Sequence, residues 1–152
     1  FDQLKKNDTS INLKAEMKIW KIWSTHPSKE DLTYLLADGS NLVNEKKFNK
    51  AYDIFSKVIS LDPNWSEAWN KRATILYMMG RYQESQSDID QVLKLEKRHF
   101  GALAGQGLVS IALGNYEKAI KSYKEVEKIY PNLESPKIMI PKIEELIKSK
   151  SI

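Results

Sequence analysis

The chain repeats itself every 34 residues, and that period constrains its fold more than any single motif. Gly80 and Gly114 stand one period apart, and their neighbours match: Met79-Gly80-Arg81-Tyr82 aligns with Leu113-Gly114-Asn115-Tyr116. Ile89 aligns with Tyr123, Val92 with Val126 and Leu95 with Ile129. One period earlier, Phe48, Ala51, Phe55, Val58 and Leu61 take the same places, with Lys46 where the glycine would stand. Self-similarity at periods of about 20–50 residues marks units that cannot bury an apolar face alone and must stack on one another.

The content of the period resembles the tetratricopeptide repeat. Repeat two carries Trp69, Ala73, Gly80, Tyr82 and Ser85 at the family's fourth, eighth, fifteenth, seventeenth and twentieth places. Repeat three supplies Gly107, Gly114, Tyr116, Ala119, Tyr123 and Pro131, and repeat one Gly39, Phe48, Ala51, Phe55 and Pro63. Lys97 departs from the pattern where the family has a helix-terminating proline, and Leu35 and Leu103 replace the Trp. The resemblance implies an all-α, helical-repeat solenoid of three helix pairs, over residues 32–65, 66–99 and 100–133. Residues 1–31 are then an N-terminal tail and capping helix, and 134–152 a C-terminal capping helix, because the ends of stacked repeats need cover.

The glycine-rich stretch RHFGALAGQGLVSIALG (98–114) invites a phosphate-binding reading. A phosphate loop needs a preceding strand and a following Gly-Lys-Ser/Thr, and neither is present. In the repeat frame Gly107 lies where two helices approach closely, and Gly114 closes a turn in the left-handed conformation. Gly101 and Gly105 have no such duty, and each costs a helix about 1 kcal/mol relative to Ala.

Before the repeats, residues 11–24 (INLKAEMKIWKIWS) alternate apolar and polar at first, as a strand would. Their Ala, Glu, Met and Lys content favours helix. Trp20 and Trp23 are expected to cap repeat one, and His26-Pro27-Ser28 to link to it. After the repeats, Ser135-Pro136 reads as a helix start, with Pro141 expected to kink that helix or delay its start. Residues 1–8 and 150–152 are expected to fray.

No catalytic, cofactor or metal site can be assembled from the residues. There is no cysteine, and His26 and His99 have no metal-ligand spacing to a second ligand. No nucleophile, base and orienting group fall together. The net charge of +4 comes from scattered lysines interleaved with acids, and only Arg72, Arg81 and Arg98 are arginines, which argues against nucleic acid as a partner. The second reading is a polyanion-associated protein using Lys46, Lys47 and Lys50. No apolar run is long enough to cross a membrane.

Stacked repeats bind partners on the concave face lined by their first helices. By the resemblance, the groove-facing residues are Asn70, Lys71, Thr74, Tyr77 and Met78 in repeat two, and Gly101, Ala104, Gly105, Leu108 and Ile111 in repeat three. Some relatives hold a chaperone's C-terminal carboxylate in a clamp of Lys, Asn and Arg. Here Leu36, Ser40, Lys71, Gly101 and Gly105 occupy clamp positions, so that clamp is absent. The expected partner is a protein, presenting an amphipathic helix or apolar segment, with no small-molecule substrate and no cofactor; the chain's own C-terminal helix is the alternative occupant of the groove. The whole chain, through KIWKIW, WSEAWNKRATILYMMGRY and RHFGALAGQGL, also resembles small exported repeat proteins of alphaproteobacteria. That resemblance implies a bacterial periplasmic setting, with a signal peptide removed before Phe1.

Overall fold

A computed structural model describes residues 1–151. Among them eight helices follow one another: α1 (Thr9–Trp23), α2 (Glu30–Asn44), α3 (Phe48–Leu61), α4 (Ser66–Met78), α5 (Tyr82–Leu95), α6 (Phe100–Ala112), α7 (Tyr116–Ile129) and α8 (Glu134–Lys150). The all-α expectation is met, with α2–α3, α4–α5 and α6–α7 as pairs flanked by a helix at each end. The chain forms two compact units: a middle unit, Lys18–Lys97, and a terminal unit of Phe1–Met17 with the chain from Arg98 onward.

In the middle unit the apolar stripe of α3 (Ala51, Phe55, Val58, Ile59) packs against Leu32 and Leu36 of α2 and Ala68 and Ile75 of α4. Phe55 needs Gly39 opposite it. A Cβ at Gly39 would lie 2.4 Å from the ring, far inside van der Waals contact. Between α4 and α5, Gly80 takes φ +73°, donates to Tyr77 at 3.0 Å, and lets Arg81 donate to Leu76 at 2.8 Å. That pair of hydrogen bonds satisfies carbonyls a helix end leaves free. Between α2 and α3 Lys46 does the same at φ 58°, against the cost a side chain adds there. Arg72 crosses from α4 to α5, its Nε and Nη2 donating to Asp88 at 2.7 and 2.8 Å and its Nη1 to Ser56 at 3.1 Å.

In the terminal unit Gly107 faces Tyr123 as Gly39 faces Phe55, again with a Cβ 2.4 Å from the ring. Gly114 closes the turn at φ +75°. Helix α8 seals this pair by placing Ile143 with Ala119 and Tyr123. It starts at Glu134, with Leu133 at the cap position instead of Ser135. Pro136 is then the third helical residue, where a missing N–H costs nothing. Pro141 neither ends the helix nor delays it.

The start of the chain corrects the fraying expectation. Residues 2–5 form a 3-10 turn with Leu4 fully buried. The Asn12 amide donates to the carbonyls of Gln3 and Lys6 at 2.8 and 3.0 Å, and the Asn132 amide reaches Lys6 and Asn12 Oδ1. The Arg98 guanidinium lies 3.9 Å from the centre of the Phe1 ring. Asp8 accepts from the Ile11 N–H at 3.1 Å, capping α1 and starting it at Thr9. At the other end Lys150 sits over the Tyr116 ring at 4.6 Å, Ser151 is exposed, and Ile152 lies outside the described residues.

Candidate partner-binding site

The groove residues fall into two sets, one in each unit. In the middle unit Asn70, Lys71 and Thr74 line a cavity of about 230 Å³ with Ser40, Val43 and Asn44 of α2, and Phe55 and Ile75 beneath. Helix periodicity explains the set, since residues three and four apart share a face. Two of its polar members are already engaged. The Asn70 amide lies 3.3 Å from Glu67, and Lys71 Nζ lies 3.8 Å from the same carboxylate, which is fully buried. Thr74 and Ser40 donate their hydroxyl hydrogens within their own helices, to Asn70 and Leu36. Tyr77 and Met78 stand apart from this cavity. Tyr77 packs its ring 5.5 Å from Tyr82, and Met78 is 52% exposed at the end of α4.

In the terminal unit Gly101, Ala104, Gly105, Leu108 and Ile111 all lie on α6. Ala104 and Ile111 pack against the cluster that α8 completes, so part of this face is covered by the chain's own last helix. Leu108 stays exposed. A phosphate loop finds no context here, since helix α5 precedes the glycines. His99 instead caps α6, accepting from the Ala102 N–H at 3.1 Å while fully buried.

Both indoles at the end of α1 reach the middle unit. The Trp23 carbonyl accepts the Trp65 indole N–H at 2.8 Å. Trp20 walls the cavity beside Ser40, Val43, Asn44 and Phe55 of repeat one. The signal is legible as two indoles three residues apart, which puts both near one face of a helix. His26 anchors the link after α1. Its Nδ1 accepts from the N–H groups of Ser28 and Lys29, so its hydrogen sits on Nε2, 2.6 Å from Asp62. That hydrogen bond holds the Asp62 carboxyl below its ordinary range. The lysines of the polyanion reading are in part engaged, with Lys47 paired to Glu45.

The repeat signature, the three helix pairs and their left-handed turns match one family. Models of the tetratricopeptide repeat fit residues 100–133 and 54–87. The chain is a tetratricopeptide-repeat protein. It is 34% identical over 134 residues to a tetratricopeptide repeat-containing protein of Rhizobium etli, covering 86% of this chain and 64% of that one. It is 26% identical over 128 residues to small glutamine-rich tetratricopeptide repeat-containing protein 2 of Mycosarcoma maydis, and spans 36% of it. Two solved tetratricopeptide domains share the fold. The first such domain of Spaghetti (RPAP3), bound to the HSP90 peptide SRMEEVD, superposes with a TM-score of 0.75 at 22% identity, over 77% of this chain and 93% of that one. The Sgt2 domain of Aspergillus fumigatus superposes with a TM-score of 0.76 at 17% identity, over 81% and 83%. Among the described residues no helix is long and apolar enough to cross a membrane.

Proposed function

We propose that this repeat protein is a non-catalytic adaptor or assembly scaffold, and that the α2–α4 face of its middle unit binds a helical or apolar segment of a protein partner. The observation that carries the reading is the cavity itself: apolar at its base (Val43, Phe55, Ile75), polar at its rim, and already lined by the indole of a helix. Such a surface gains free energy by burying apolar area and sets orientation by its few polar groups. The exposed Leu108 on α6 of the terminal unit is a second apolar contact of the same kind.

An acidic peptide like the SRMEEVD bound by Spaghetti is excluded as partner on this reading. At the clamp positions Leu36 is buried, Lys71 faces its own Glu67, and α6 offers Gly101 and Gly105. The likeness to the Rhizobium etli protein supports a bacterial source, and the KIWKIW-containing pattern a periplasmic setting, which fractionation of the source cell tests.

Affinity capture from the native source tests the adaptor reading. The full chain is compared with Thr74→Trp, which fills the cavity rim, and with Leu108→Glu. A partner retained by the wild type and lost from Thr74→Trp supports it, whereas loss from Leu108→Glu alone contradicts the α2–α4 site. Identical capture by all three contradicts it.

A further inference from the structure

The middle unit already holds an aromatic helix against α2 and α4, and that helix is its own. Trp20 walls the cavity beside Ser40, Asn44, Asn70 and Thr74. Its ring meets that of Trp23 edge to face, 5.1 Å between centres. Ile19 and Trp23 are buried, while Lys18, Lys21 and Ile22 of the same turn stand exposed. The segment thus turns two indoles inward and two cations outward. Its seat stays open at the rim, where Asn44 and Thr74 are exposed, and the hydroxyls of Ser40 and Thr74 bond back to their own helices. What those two side chains offer the indole is shape and contact.

We infer that this seat is built for a helix carrying two aromatic side chains three residues apart, and that such a partner helix exchanges with Lys18–Trp23 for the place. The inference rests on the adaptor reading and specifies the partner that reading leaves general. A tethered occupant competes at a high effective concentration. The apparent affinity for an outside helix falls by the fraction of molecules whose seat is open. Weakening the resident by a given factor therefore raises the affinity for the outsider by up to the same factor.

The probe is a fluorescein-labelled peptide of residues 9–24, TSINLKAEMKIWKIWS, titrated against the full chain. The Trp20→Ala chain, with its own indole removed, binds the peptide at least about tenfold tighter than the wild type. The same change in the peptide abolishes binding, and Thr74→Trp in the chain does so too. Equal binding to wild type and Trp20→Ala, or binding indifferent to Thr74→Trp, overturns the exchange. Should circular dichroism show that Trp20→Ala does not fold, hydrogen exchange of the wild type decides. Amides of residues 18–23 exchange about a hundredfold faster than those of Val58 and Ile59 if the helix leaves its seat on its own. Equal rates mean that it leaves only on unfolding, and the inference fails. Native-partner capture that remains sensitive to Thr74→Trp then keeps the adaptor reading, whereas capture insensitive to it sinks that reading as well.

Discussion

The α4–α5 pair of the middle unit and the α6–α7 pair of the terminal unit are one repeat written twice in different chemistry. Where α4–α5 has Arg72 bonded to Asp88 at 2.7 and 2.8 Å, α6–α7 has Gln106 bonded to Ser122 at 2.8 Å, each residue one period on. Where α6–α7 sets Gly107 against Tyr123, α4–α5 sets Ala73 and Ile89 at the matching places. The fold thus accepts an ion pair or a neutral hydrogen bond between the helices, provided each is complete. It accepts a large side chain on one helix when the other gives up its Cβ. What the repeat conserves is summed volume and satisfied polar groups, as close-packed interiors require.

The largest expected effect comes from breaking the ion pair. Asp88 is buried, so Arg72→Met leaves a carboxylate without its partner and costs about 3 kcal/mol in urea unfolding. The double change Arg72→Gln, Asp88→Ser installs the third repeat's pair and returns to within about 1.5 kcal/mol of wild type. A double variant no better than the single one would break the equivalence. Next, Gly107→Ala drives a methyl into the Tyr123 ring and costs about 2 kcal/mol. Adding Tyr123→Ile, the pairing of the second repeat, recovers at least half of that in the same assay. A smaller effect is expected at the turns. Lys46→Gly relieves a left-handed side chain and stabilises by about 1 kcal/mol, while Gly114→Ala costs about as much. Equal melting temperatures across these variants would mean the turns carry no strain.

At neutral pH the smallest effect is expected where α1 is held, and there pH distinguishes the two units. In the terminal unit Tyr130 donates to Glu16 at 3.1 Å. Burial, then that carboxylate, pushes the phenol up to about 12. The neutral phenol therefore contributes its full stabilisation below pH 10.0 and loses it as pH rises towards 12. In an absorbance titration Tyr130→Phe removes a late-ionising tyrosine. In the middle unit Asp62 lies below its ordinary 3.8 because His26 donates to it. Its contribution is present above the unfolded value and is lost as pH falls through the folded one, a loss that Asp62→Asn abolishes. Acid and alkali should thus loosen different units, as read by near-ultraviolet circular dichroism.

The repeats are legible because each residue's duty recurs one period away. Gly39 and Gly107 announce a ring opposite, and Gly80 and Gly114 a left-handed turn. Lys46 breaks the glycine rule without breaking the turn, since the two turn hydrogen bonds survive the strain. The flanks lack that redundancy. Nothing local says that Asn132 reaches Lys6 and Asn12, more than a hundred residues away, and orders the chain's first turn. That Trp20, placed in sequence before repeat one, also walls the α2–α4 cavity is likewise set by tertiary packing alone. For the α6 set the sequence leaves a partner and the chain's own C-terminal helix both open, because a helix face does not reveal that α8 packs on Ala104 and Ile111.

The most direct test of groove binding places a photo-crosslinking amino acid at Thr74, on the rim of the α2–α4 cavity, and separately at Lys121, exposed on α7. Both full-length variants are irradiated in the source cell, and the adducts are mapped by mass spectrometry. Adducts to another protein from Thr74, at a segment whose sequence is an apolar or aromatic helix, and none to that protein from Lys121, are the predicted result. Partner adducts from Lys121 with none from Thr74 would contradict the central claim and move the binding surface off the groove.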